Sequence, residues 1–461
     1  MHRIMTSVAT IVAVAGAAFA AAAPPAKTYD VREMGAAGDG MALDGPIVQR
    51  AIDAAAAAGG GTVLLPSGTY LSGAVRMKSH VTLRLEKDAV LLAADDAALF
   101  PPVASRWEGG AASYPSPLVV MEECRDAAIV GAGTLSGGER CTLVKKCKDI
   151  RFDGITFTCK LRWTLHLLYS DGVVVENCRF TTDGQNTDGI DPDSSRNIVI
   201  RRCFFDTGDD CIAIKSGVNA EGVRVGRPSE NITIEDCVMV RGHGAVSLGS
   251  EMSGGVRNVT IRRCKMSGCG AAVRIKTRRG RGGYVADVHV SDCVANDNRA
   301  ALLIDTQYKW TPGLDAIPGP EGIPVLKNFS FENVTGAGNK KAIAMVGMPE
   351  RPVEGIVLKN VTLTGGPPGH IENARDVVIE SVKLDGPLTI VNVTGTGLRS
   401  GQLARQGTEF SEPPLTSWDE TVRRVRRHGL ERQWFPRPAC HACHACHGAG
   451  RRTVACPRHL R

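Results

Sequence analysis

The chain has 461 residues, is rich in glycine (52) and poor in aromatics (5%), and carries a formal net charge of +7. Ten arginines against one glutamate between Arg423 and Arg461 supply +9 of that charge, so the remainder is about 7 − 9 = −2 and offers no basic surface spread for nucleic acid. Beyond the first residues no stretch approaches ~18 uninterrupted apolar residues, so no membrane partner is expected.

The opening, "MHRIMTSVATIVAVAGAAFAAAAPPA", combines Arg3, a short apolar core and small residues in an Ala-x-Ala pattern. It reads as a secretory signal over residues 1–23, and a secreted or periplasmic location follows. From Pro46 to about Ala58 the apolar spacing is helical, and Gly59 to Gly61 stop the helix. An amphipathic helix at this point suits capping the open end of a stack of strands, whose edges would otherwise aggregate. "TVLLP" and "VTLRL" are the first strands, and Phe100 to Ser116 lacks periodicity and reads as a long loop over a binding cleft.

A repeat then takes over. In "VVVENCRF", "IVIRRCFF", "ITIEDCVM", "VTIRRCKM" and "VHVSDCVA", residues Cys178, Cys203, Cys237, Cys264 and Cys293 follow the same alternating strand at the same offset. Val334, Val361 and Val382 continue the series, at intervals of 25, 34, 27, 29, 41, 27 and 21 residues along the column. A position that accepts Cys and Val alike is buried and apolar, so these are read as free thiols in an interior column. Recurrence at this period, with strand–turn–strand units too small to bury their own face, points to an all-β solenoid, a right-handed parallel β-helix. A β-sandwich would show tighter turn spacing and no such register. The β-helix domain is assigned to residues 24–420.

Matching the second strand of successive coils by its inward residues stacks Ile190, Ile212, Val246 and Val273. In that register Asp188 of "NTDGID" lies beside Asp210 of "TGDDCIAIKSG", with Asp209 next to both, at a bend where the acidic pair can face solvent or a ligand. His243 of "GHGAVSLGS" falls one coil on, level with Asp209. Arg274 and Lys276 of "VRIKT" point outward together on the coil after that. Each of these residues alone is more often a turn former or a solvated edge, but strands ~4.8 Å apart bring all six within about 15 Å. Close carboxylates repel one another, which is costly unless function retains them.

"NTDGID", "TGDDCIAIKSG", "GHGAVSLGSEMSGG" and "RIKT" resemble the four signature segments of the family 28 glycoside hydrolases, the polygalacturonases, in the family's order and separation. "YDVREMGAAGDG" and "GGGTVLLPSGTY" resemble the entry segment shared with pectin-lyase-like β-helices, so the likeness runs from about Tyr29 to at least Tyr308. The resemblance implies hydrolysis of α-1,4-linked galacturonan with inversion. It makes Asp209 the general acid and gives the nucleophilic water to Asp188 and Asp210. His243 then hydrogen-bonds near Asp209 and helps keep it protonated between turnovers. Arg274 and Lys276 pair with a substrate carboxylate, Asn186 orients the sugar or Asp188, and Tyr308 lines a subsite. No metal or other cofactor is needed, and a monomer acting on pectin oligosaccharides is expected.

Two rivals are a β-eliminating pectate lyase, which would need calcium and an arginine base, and a non-catalytic polysaccharide-binding β-helix, for which an acidic triad with His243 has no use. The motifs do not separate exo from endo action, although the insert "SGVNAEGVRVGRPSEN" resembles exo-acting bacterial members and shifts the balance that way. Residues 421–461 form a basic, Cys/His-rich tail. Its overlapping Cys-x-x-Cys-His runs (Cys440 to His444, Cys443 to His447) have the spacing of a haem attachment site, but two haems cannot share Cys443. The tail is read as disordered, ahead of adventitious zinc or haem.

Overall fold

A computed structural model describes residues 27–310 and 315–398; the stretch over 1–23 that reads as a secretory signal and the tail over 421–461 lie outside them. The chain winds through successive coils of three strands. One coil consists of Asp171–Glu176, Arg179–Thr181 and Ile190–Asp193, and the next of Arg196–Arg201, Phe204–Asp206 and Ile212–Ile214. Each strand pairs in parallel with its counterpart one coil away, so three parallel ladders make a β-helix.

Alternation dictates what enters the core. Val173, Ile198, Ile232, Val259 and Val288 stack in one ladder and are fully or almost fully buried. Ile190, Ile212, Val246 and Val273 stack in the second, in the register read from the sequence. In the third, the rings of Phe157, Phe180 and Phe205 lie face to face with centroids 4.7 and 4.9 Å apart. Cys178, Cys203, Cys237, Cys264 and Cys293 form a buried column of free thiols.

Bends need backbone that most residues avoid. Asn197, Asn231 and Asn258 hold one bend with φ of 57°, 57° and 53°, and their amides bond in file, Asn231 Nδ2 to Asn197 Oδ1 at 3.0 Å and Asn258 Nδ2 to Asn231 Oδ1 at 2.7 Å. Asparagine tolerates this left-handed region because its short side chain bonds locally. The helix spans Gly45–Ala57 and buries Val48, Ala51, Ile52 and Ala55 in the common core.

The segment read as a loop over 100–116 is instead an antiparallel hairpin, Val103–Trp107 with Gly110–Tyr114. Glu108 and Gly109 turn it with φ of 47° and 77°. Two successive positive φ values make the tight turn whose twist matches paired strands.

Buried thiols without disulfide partners predict a simple outcome. Protein denatured and alkylated without prior reduction should carry label at the five column cysteines when examined by mass spectrometry. Finding them paired would contradict the stacking.

Candidate active site

Asp188 and the Asp209–Asp210 pair occupy equivalent bends, just ahead of the strands Ile190–Asp193 and Ile212–Ile214. Parallel pairing of Ile190 with Ile212 therefore sets the bends side by side. One oxygen from each of Asp188, Asp209 and Asp210 lies within 4.8 Å of the others. The next coil contributes His243, whose Nδ1 is 2.8 Å from Asp209 Oδ1.

The three carboxylates differ in surroundings. Asp209 keeps 15% of its side chain exposed, whereas Asp188 and Asp210 are only 3% and 1% exposed. Asp210 was expected to face solvent or a ligand; it is buried because both oxygens are taken. Ser247 Oγ donates to Oδ1 at 2.8 Å and Lys276 Nζ to Oδ2 at 2.7 Å. A side chain at Gly244 would press on this arrangement, since a Cβ there would lie 2.3 Å from Ser247 Oγ and 3.0 Å from Asp210 Oδ1. Burial alone would raise the Asp210 carboxyl, but the Lys276 ammonium, with Arg274 and Lys215, overrides it and holds the group at about 2. Asp188 goes the other way: burial and the charges of Asp191 and Asp209 push it well above the ordinary range, against the pull of Lys215. Interacting groups titrate as a set, so this proton belongs to the cluster.

Lys276 thus differs from the expectation that it stands free beside Arg274. It is 7% exposed and reaches back two coils to Asp210. Its outward neighbour on the intervening coil is Gly249, which has no side chain to stop it. Arg274 remains half-buried, 4.0 Å from Asp305, with its guanidinium 5.1 Å from the Tyr308 ring centre. Asn186 sits in the bend two residues ahead of Asp188 with φ of 57°. The acidic trio has a spacing that could also hold a divalent cation. Two ammonium groups already stand against it, Lys276 on Asp210 and Lys215 3.5 Å from Asp188, so positive charge is built in.

Residues 111–381 match the family described as Glycosyl hydrolases family 28. The chain belongs to that family. It is 29% identical to a Vitis vinifera protein described as a probable polygalacturonase, over 72% of this chain and 73% of that one. It is 27% identical to an endo-polygalacturonase of Pectobacterium carotovorum, over 67% and 80% of the two chains. An exopolygalacturonase structure from Thermotoga maritima superposes with a TM-score of 0.72 at 27% identity, covering 78% of this chain and 92% of that one.

Around the site this family 28 hydrolase carries a buried ionic layer that the sequence reading passed over. Lys215 lies 3.5 Å from Asp188, 3.4 Å from Asp191 and 3.1 Å from Glu251, and 4.4 Å from the Trp163 ring centre. Burial opposes its charge, yet those three carboxylates hold its pKa well above the ordinary value. Asp191, buried, is pushed up to about 8 despite Lys215. Lys215 ends the very segment that carries the acidic pair, and strand alternation places it outward in line with Asp193.

The hairpin is held by a second buried pair. Arg106 Nη1 is 2.6 Å from Asp193 Oδ1, with both side chains 1% exposed, and Nη2 is 3.3 Å from Glu221. Burial would raise Asp193, but Arg106 and then His166 bring it down to about 2. This contribution to stability is present above the ordinary carboxylate pKa and lost as pH falls through about 2. Arg106→Leu should strand the Asp193 charge and cost about 3–5 kcal/mol. Denaturant unfolding at neutral pH is the check, and an unchanged midpoint would contradict the pairing.

Proposed function

We propose that this family 28 enzyme is a polygalacturonase, hydrolysing α-1,4-galacturonosidic bonds of polygalacturonan with inversion and acting from the chain end. The observation that carries the reading is the division of labour among the aspartates. Asp209, partly exposed and bonded to His243 at 2.8 Å, faces the cleft. From there it donates a proton to the leaving glycosidic oxygen, and His243 helps restore that proton between turnovers. Asp188 and Asp210 lie deeper and hold a water, which the ionised Asp210 activates for attack from the opposite face of the sugar.

Carboxyl groups only ~5–5.5 Å apart usually signal a retaining glycosidase, and ~6.5–9.5 Å an inverting one. The oxygens here fall within 4.8 Å. Burial and occupancy favour inversion nonetheless. A covalent nucleophile must itself touch the anomeric carbon, whereas Asp210 is 1% exposed and commits both oxygens to Ser247 and Lys276. Such a carboxylate reaches substrate through a water.

Exo action is supported by what closes the cleft. Trp107 on the hairpin packs 4.5 Å from Trp163, whose ring is 4.4 Å from Lys215, itself 3.5 Å from Asp188. The insert after the acidic pair forms the helix Asn219–Val225, and its Glu221 pairs with Arg106. The hairpin and Trp163 therefore wall the triad on the side of the earlier coils, with the helix of the acidic pair's own coil packed against the hairpin, while the later coils present Arg274 and Tyr308. The N-terminal helix caps the first coil, Asn186 orients the sugar, Tyr308 lines the subsite of the sugar that Arg274 reads, and no metal enters the reaction. Export rests on the N-terminal segment.

With polygalacturonate, the native enzyme should release monomer from the first time points, and Asp209→Asn should lose about 10²–10⁴-fold in turnover while staying folded. Near-native turnover in the folded variant would remove Asp209 from its role, and an early ladder of oligomers would remove the exo reading. Lys276→Met leaves burial as the dominant influence on Asp210, so its carboxyl rises and the acid limb of kcat/KM should move to higher pH. An unmoved limb would show that Lys276 does not keep this base ionised.

A further inference from the structure

We infer that the recess between the coil of Arg274 and the next, lined by Arg278, Arg279, Tyr308 and Lys309, is a binding site for the carboxylate of a second uronosyl residue, the one after the sugar that Arg274 reads. This rests on the polygalacturonan reading above and names a residue for it.

The chain leaves the strand Ala271–Lys276 into a turn that carries Arg278. Tyr308 is tied to that turn by its own N–H, which donates to the Thr277 carbonyl at 3.1 Å. Its ring lies 5.1 Å from the Arg274 guanidinium and 5.4 Å from the Lys276 ammonium, so it also borders the catalytic cleft. The recess has a volume of about 350 Å³, with Thr306 and Gln307 completing its wall. That falls at the lower end of the size range of ligand-binding clefts.

Charge gives the recess its chemistry. Arg279 is committed to Glu350, with Nη2 2.7 Å from Oε2. Arg278 donates only a long bond, Nη1 to the Lys309 carbonyl at 3.4 Å, and among the described residues no carboxylate pairs with Arg278 or Lys309. On another ladder of the solenoid the pattern is different. Arg257 pairs with Glu230, Arg262 with Glu235 and Arg196 with Asp171, each one coil away. A guanidinium left without an acid, beside an aromatic ring and next to a cleft, matches a planar carboxylate that it can grip through two parallel bonds.

The turn is also prepared for such a role. Arg281, 1% exposed, donates to Asn219 Oδ1 at 2.8 Å, to Ser250 Oγ at 3.4 Å and to the Trp310 carbonyl at 3.2 Å. Gly280 donates to the Gly322 carbonyl at 2.8 Å and accepts from Ile317 N–H at 2.9 Å. The backbone that carries Arg278 is thus bonded to segments on either side of it before any ligand arrives, which lowers the ordering cost of binding.

The test compares native enzyme with Arg278→Gln on digalacturonate, trigalacturonate and longer unesterified chains. Without its charge-assisted bond to the third sugar, the variant should fall about tenfold or more in kcat/KM, mainly through KM, on trigalacturonate and longer substrates. The loss should be smallest on digalacturonate, and Arg278→Lys should restore part of it by returning charge without the fork. Equal kcat/KM at every length, or an equal loss at every length, would overturn the assignment. If the native enzyme hydrolyses none of these chains, the polygalacturonase reading itself fails and the recess loses its proposed ligand. That outcome is visible in the native protein and separate from any effect at Arg278.

Discussion

Two buried ammonium groups allow three carboxylates to share one level of the solenoid. An unpaired buried carboxylate is strongly disfavoured, and adjacent ones repel. Lys276 sits 2.7 Å from Asp210, and Lys215 sits within 3.5 Å of Asp188, Asp191 and Glu251. Their influence is uneven, and the unevenness is chemically useful. Lys276 holds Asp210 ionised, whereas burial and neighbouring carboxylates drive Asp188 and Asp191 toward the protonated form against the pull of Lys215. Asp210 is thereby the carboxylate held ready to activate a water, and the proton carried by its neighbours belongs to the cluster as a whole.

The scaffold makes this crowding reproducible. Parallel strands repeat at ~4.8 Å, so a residue's place in its coil determines which residues it meets on the next. The bends ahead of Ile190 and Ile212 bring Asp188 to Asp209 and Asp210, and the following coil brings His243 to within 2.8 Å of Asp209. The same stacking places Gly249 before Lys276, which frees the lysine to lie back on Asp210. The hairpin from an earlier coil and the helix Asn219–Val225 from the acidic pair's own coil meet through Arg106 and Glu221, and any side chain at Gly109 would collide with Val218, where a Cβ would lie 2.2 Å from Cγ1. The wall beside the triad is therefore a packed element with its own ion pairs.

Much of this was legible before the structure, for a physical reason. A solenoid repeats one local rule, so the Cys178-to-Cys293 column gave the coil length, and inward Ile190, Ile212, Val246 and Val273 gave the register. Register alone then predicted that Asp188, Asp209, Asp210 and His243 would meet. The illegible parts depend on what outward side chains do once they leave the strand. Alternation puts Lys276 outward but does not say that it turns back to an aspartate 66 residues earlier. It also says nothing of Lys215 choosing Asp188, Asp191 and Glu251. The hairpin escaped because its turn is Glu108–Gly109, where an Asn-Gly or Asp-Gly pair would have announced the two positive φ values.

The central claim is that a water, held by recessed carboxylates, attacks the sugar in a single displacement. The close spacing of the three aspartates makes a two-step route through a covalent intermediate its direct competitor, and the two routes differ in product stereochemistry. Proton NMR of the anomeric region, recorded on α-linked galacturonan in the first moments after enzyme is added, reads that difference before mutarotation erases it. The account predicts that the β-anomer of the newly formed end appears first. Initial accumulation of the α-anomer would contradict it.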